Sequence, residues 1–167
     1  MSTETTASVR LHRYRTLVRW TGNKGVGTEH YAAYTRDHVV TSAGKTEIAC
    51  SSDPAFRGDP TKHNPEEMLV SAVSSCHMLW YLHLCADAGI VVIEYTDTPE
   101  GTMEQTSNGG GFTEIVLHPV VIITDASKAG EALALHAIAH TRCFIANTLR
   151  CEVRVQATVS DAPRMSS

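Results

Sequence analysis

The chain has 167 residues, of which 43% are apolar and 19% charged, and a formal net charge of −4. That is the size and balance of one globular domain with a real core, and the mildly acidic charge argues against nucleic acid as a partner. Its five cysteines (Cys50, Cys76, Cys85, Cys143 and Cys151) are too few and too scattered for a secreted disulfide scaffold. Most should be small buried hydrophobes, and any special one catalytic or metal-binding.

Residues 1–8 read as a flexible leader and 162–167 as a flexible tail, around a single domain at 9–161. The leader lacks the basic and apolar regions of a signal peptide. No stretch reads as long and apolar enough to span a bilayer, so a cytoplasmic protein with no membrane partner is expected. Residues 9–20, VRLHRYRTLVRW, alternate enough for a strand, edge-like in its arginines. TGNKGVGTEH then reads as a turn, because its glycine spacing fits neither nucleotide-binding fingerprint. Further strands are expected at about 31–41 and 45–50, and SSDPAFRGDPTKH is a loop by composition.

That loop feeds a long helix, expected from Asn64 to Gly89. Asn64 suits an N-cap, Pro65 the first helical position, Glu67 a capping box and Gly89 a left-handed stop. Apolar residues fall on every face between them, which predicts burial on several sides. After Gly89 the pattern turns to β. IVVIEYTDT and GTMEQT flank Pro99-Glu100 as a hairpin, and GFTEIVLHPVVIIT reads as one long strand. Asp125 can cap a second helix running to about His140, a short helix is expected within 143–149, and residues 151–160 form a closing strand. The expected order is β-β-β-α-β-β-β-α-β, an α+β fold with mostly antiparallel sheets and two main helices.

Cys76 sits near the middle of the long helix, ten positions after Glu66. Ten residues correspond to about 80° of azimuth and about 15 Å of rise, so Glu66 cannot touch the Cys76 sulfur within one straight helix. Either an adapter bridges them, or Glu66 acts from a second chain, or it only complements the helix dipole. Apolar surroundings make a cysteine inert, so a nucleophilic Cys76 needs a nearby cation. Arg57 and Arg36, in or near the preceding loops, are the candidates, since arginine can fork between a thiolate and a carboxylate. A metal site at Cys76, His140 and Cys143 is an alternative, although adjacent Cys76 and His77 diverge by roughly 100° and no CxxC or HExxH is present. Cys50, Cys85 and Cys151 read as core residues.

The stretch NPEEMLVSAVSSCHM, with its cysteine ten residues after the first glutamate, resembles the OsmC/Ohr family of osmotically inducible and organic-hydroperoxide-resistance proteins. AHTRCFIANTL is similar to that family's second cysteine motif, and the resemblance covers about residues 12–160. It implies a thiol peroxidase working as an intertwined homodimer, with Cys76 as peroxidatic and Cys143 as resolving cysteine. Glu66 would fix a catalytic arginine, assigned to Arg57 with Arg36 next. The implied cycle reduces an organic hydroperoxide through a sulfenic acid and a Cys76–Cys143 disulfide, which a dithiol, protein-bound lipoyl in much of the family, reopens. No cofactor or metal is implied. His77 and the bulky run after it depart from the family pattern. A redox-sensing or hydrophobic-ligand-binding module with little turnover is therefore the alternative on the same fold.

Overall fold

A computed structural model describes residues 9–161, so the leader and tail expected at 1–8 and 162–167 lie outside the described residues. The chain divides into two compact units, one ending at Pro65 and one beginning at Glu66.

In the first unit three short strands pair antiparallel in the order β1-β2-β3: β1 (Leu17–Trp20), β2 (His38–Thr41) and β3 (Ile48–Cys50). The sequence reading overextends all three. β2 offers four residues to its neighbour, so the ladder ends where Leu17 meets Thr41. Residues 31–37 form turns instead of strand. The Trp20 indole donates to Thr35 O at 2.9 Å and the Thr35 N–H to Gly22 O at 3.0 Å. A Cβ at Gly22 would stand 2.0 Å from Thr35 O, so this close approach requires glycine. After β3 a 3-10 turn, Pro54–Phe56, opens on Asp53, whose carboxylate accepts the Ala55 N–H at 2.7 Å.

The second unit is built on α1 (Pro65–Asp87). Its C-terminus closes as the sequence predicts. Gly89 has φ +64°, its N–H reaches Ala86 O at 3.1 Å, and the Ile90 N–H reaches Cys85 O at 2.8 Å, which is a Schellman motif. Lys128 Nζ adds bonds to the carbonyls of Ala88 and Gly89 at 3.2 and 2.9 Å. The buried stripe of the helix is Val73, His77, Tyr81, Leu84 and Cys85, spaced three and four apart. Leu79 is 63% exposed, so within one chain α1 is covered on a stripe and not on all faces.

The expectation that no segment could cross a bilayer needs correcting. The 23-residue α1 reaches a mean hydropathy of 1.3 and is long and apolar enough by length and composition. Two of its polar residues are satisfied by tertiary partners: Ser74 donates to Asp97, and His77 pairs with His136.

Two three-stranded sheets complete this unit. One has the order β4-β7-β9 and the other β5-β6-β8, formed by β4 (Val92–Thr96), β5 (Glu100–Thr106), β6 (Gly109–Leu117), β7 (Val120–Ile123), β8 (Glu152–Val155) and β9 (Thr158–Asp161). The hairpin expected at Pro99-Glu100 does not form. β4 pairs with β7, and β5 turns at Ser107-Asn108 to pair with β6, which begins within the glycine run. The expected long strand breaks at His118-Pro119, because proline has no N–H for the ladder. The closing strand breaks in step. The Gln156 N–H bonds Leu117 O and the Thr158 N–H bonds Pro119 O, both at 2.8 Å, so β6–β8 and β7–β9 change sheets together as parallel pairs. Asp97 ties this crossing to the helix, accepting from Ser74 Oγ and, at 2.7 Å, from the His118 N–H.

Asp125 caps a 3-10 turn, Ala126–Lys128, and α2 (Ala129–Arg142) follows, running two residues past the expected end. The short helix expected after it is a 3-10 turn, Ala146–Thr148. One apolar cluster joins Tyr81, Leu84 and Cys85 of α1 to Val121, Ile123, Ala132 and Ala139. A second joins Val73 to Ile115, Leu117 and Val153. α1 is thus gripped at two points, with Cys76 and His77 between them. The α+β class and the two main helices agree with the sequence reading.

Candidate thiol site

Cys76 is half-buried at the centre of α1. Cys143 occupies the C-cap of α2, where the backbone turns extended and its N–H still reaches His140 O at 3.2 Å. Cys143 is fully buried, and Cys76 is a close enough neighbour to act on its thiol. Cys143 Sγ also faces Val73 O at 3.9 Å and accepts the Ala146 N–H at 3.5 Å. Burial pushes this thiol up to about 11. The Ala146 N–H works against that shift, and the neighbouring Cys76 sulfur adds to it.

A thiol so protonated at neutral pH is a poor first nucleophile, and Cys143 is also the more buried of the two. Both are free cysteines, the form from which a disulfide can be made by oxidation. One turn beyond Cys76 and one residue beyond Cys143, Trp80 and Phe144 meet edge-on at 5.6 Å, and the Arg142 guanidinium sits 5.6 Å from the Trp80 ring. The thiols are therefore bordered by an aromatic patch with one cation.

Glu66 stands in the first turn of α1, half-buried, with Oε2 buried and unpartnered among the described residues. Ten residues of continuous helix separate it from Cys76, so the distance inferred from sequence holds. Arg57 and Arg36 belong to the first unit, and their surroundings differ. Arg36 stacks on Tyr31 and Tyr34, 4.0 and 4.4 Å from the ring centroids, and donates to Tyr34 O and Tyr31 O at 2.8 Å each. Arg57 has φ +66°, unusual for a residue with a Cβ. Among the described residues its guanidinium makes one contact, to the Tyr31 ring at 5.9 Å. Tyr31 Oη in turn donates to Phe56 O at 3.3 Å, next to Arg57 in sequence.

Among the described residues no three histidine, cysteine, aspartate or glutamate side chains gather closely enough to hold an ion. The metal site considered at Cys76, His140 and Cys143 does not form: the backbone turns extended at Cys143, whose sulfur lies against Val73 O and the Ala146 N–H.

The sequence reading missed a buried histidine pair. His77 Nε2 and His136 Nδ1 are 2.9 Å apart, joining α1 to α2, and His136 stacks on Tyr81 with ring centroids 3.8 Å apart. Burial drives both imidazoles down to about 4. The nearby His140 pushes His77 further the same way, and Asp97 opposes it. The only sequence signal was that both histidines fall on otherwise apolar helical stripes.

Residues 58–158 match the family model of OsmC-like proteins. The uncharacterized protein YmaD of Bacillus subtilis is 26% identical over 153 residues, covering 89% of this chain and 94% of that protein. Among solved structures, an OsmC-like protein of unknown function from Vibrio cholerae superposes with a TM-score of 0.80 at 30% identity, covering 88% of this chain and 99% of the other. An organic hydroperoxide resistance protein from Elizabethkingia anophelis reaches 0.62 at 24% identity, covering 90% and 99%.

Proposed function

The chain belongs to the OsmC-like family, and from that premise we propose that it is a thiol-dependent peroxidase that reduces organic hydroperoxides to alcohols. One observation carries the reading: a buried, protonated Cys143 has the half-buried Cys76 as a neighbour in the reduced protein. In the cycle, the Cys76 thiolate attacks the distal oxygen of ROOH, the O–O bond breaks, and the departing alkoxide takes a proton to leave as ROH. Cys76 is then a sulfenic acid. Cys143 condenses with it, losing water and forming the disulfide. A dithiol reductant, of the lipoyl kind, reopens the disulfide by exchange and is itself oxidised.

Arg57 is the better candidate for the cation that assists the attack. Arg36 is committed to two backbone carbonyls and two rings, whereas Arg57 holds only the Tyr31 face. Glu66, with its unpartnered buried oxygen, is the matching carboxylate anchor. The Trp80–Phe144 patch beside the thiols favours an organic over a hydrogen peroxide substrate. The exposed Leu79 face of α1 fits pairing with a second copy, giving a cytoplasmic homodimer.

Mass spectrometry after one equivalent of cumene hydroperoxide tests the reading directly. A Cys76–Cys143 disulfide with release of cumyl alcohol is expected, and Cys76→Ser should abolish catalytic consumption. Undiminished turnover in Cys76→Ser would refute it. A disulfide that no dithiol recycles would favour the redox-sensing alternative.

A further inference from the structure

A cleft of about 460 Å³ runs along α2, where Leu133, His136, Ala137 and His140 face the turn at Val155–Ala157. These α2 residues follow three and four apart, so they share one helix face. The walls are mostly apolar, apart from the two imidazoles and Gln156, and no carboxylate lines them.

We propose that this cleft binds a divalent first-row transition ion of the zinc and copper class through His136 and His140. Two histidines at i and i+4 on one helix face are a recurrent ligand pair for such ions. His136 is 4% exposed, lines the cleft, and its Nε2 has no hydrogen-bond partner among the described residues. His140 Nδ1 is likewise buried without one. A buried ring nitrogen left unpaired is costly, and a metal bond removes that cost.

His136 is also held as a metal ligand should be. Its other nitrogen, Nδ1, is 2.9 Å from His77 Nε2 and its ring is stacked on Tyr81. If His136 Nδ1–H donates to His77, the tautomer is fixed and the buried Nε2 keeps its lone pair free, which is the usual outer-shell arrangement of a ligating histidine. Nitrogen donors without carboxylates select borderline ions over magnesium or calcium. Since no third protein ligand converges there, water or a bound ligand completes the coordination sphere.

The test uses the full chain in a Cys76→Ser/Cys143→Ser background, which removes the thiols nearest the cleft. Titration with Zn²⁺ should give one site per chain, and Cu²⁺ bound there should show two imidazole nitrogens by electron paramagnetic resonance. His140→Gln, at the more open of the two positions, should weaken Zn²⁺ at least about tenfold and leave one nitrogen signal; His77→Leu should weaken it by a similar factor through loss of the outer-shell bond. Unchanged affinity in His140→Gln, no saturable Zn²⁺ binding, or an unaltered copper spectrum would each overturn the proposal. Circular dichroism of each variant separates ligand loss from misfolding. His136→Gln provides an independent second ligand deletion.

Discussion

Lowering the pH from 7 to 4 forces a proton onto a pair of imidazoles that the fold holds neutral. His77 and His136 each move from 6.5 to about 4, with burial as the main cause. Their groove is faced by Tyr81 from α1, His140 from α2 and Asp97 from the β4–β5 connection, and only Asp97 favours protonation. Because the folded values are depressed, the unfolded chain binds more protons between 6.5 and 4. The stability these groups contribute is present above 6.5 and lost as pH falls through about 4. A shift of this size in one imidazole corresponds to about 3 kcal/mol. The first proton opposes the second across 2.9 Å, so the pair contributes less than twice that. Urea unfolding followed by circular dichroism at pH 7, 6, 5 and 4.5, with thiols kept reduced, reads the loss. Asp37, Asp59 and Asp125 have folded values below 3.8, so their losses fall at lower pH and do not obscure this window. The His77→Leu/His136→Leu variant, which replaces both partners by apolar groups, should have a flat profile there. An equal fall in wild type and double variant would refute the reasoning.

Arg57→Ala should slow oxidation of Cys76 by cumene hydroperoxide by about 10²-fold or more, as loss of one electrostatic stabiliser does, with little change in the urea midpoint. Arg36→Ala should do the reverse, destabilising by about 1.5–3 kcal/mol for its charge-assisted bonds while leaving that rate within a few-fold; rapid stopped-flow oxidation of the Arg57 variant would count against the assignment. Cys143→Ser should still release one alcohol per chain, but excess peroxide should carry Cys76 on to sulfinic acid, visible as two added oxygens by mass spectrometry. Gly89→Ala should cost about 1–2 kcal/mol, since the only neighbour of the new Cβ, Lys128 Nζ, is 3.6 Å away and the strain is that of a positive φ alone; no loss in thermal midpoint would contradict the Schellman geometry.

The long helix was legible because Pro65 and Gly89 act within a few residues of where they stand, and local chemistry is what a sequence displays. The sheets were less so. Pro99-Glu100 has the composition of a turn, but pairing was decided by β7, more than twenty residues on, which takes β4 away from β5. Pro119 marked a break inside an apolar run that periodicity alone read as one strand. At the site, the two cysteine motifs were recognisable, while the burial of Cys143 against Val73 of α1 depends on tertiary packing. The His77–His136 bond spans 59 positions, and each local pattern shows only a histidine on an apolar stripe without naming its partner. Nor could composition rank Arg57 against Arg36, because Arg36 is occupied by carbonyls of its own turn.

The nearness of Cys143 to Cys76 sets a race in the proposed cycle. Once Cys76 carries a sulfenic acid, a second peroxide molecule competes with the waiting thiol, and only the first of these rates rises with peroxide concentration. Many thiols must wait for a helix to unwind before they can reach their partner. Here Cys143 Sγ already lies against the backbone of α1 at Val73, three residues before Cys76, so its approach needs no large rearrangement of either helix. Ring closure should therefore outrun hyperoxidation up to high peroxide levels, and the protein should fail only when its reductant, rather than its own folding, falls behind.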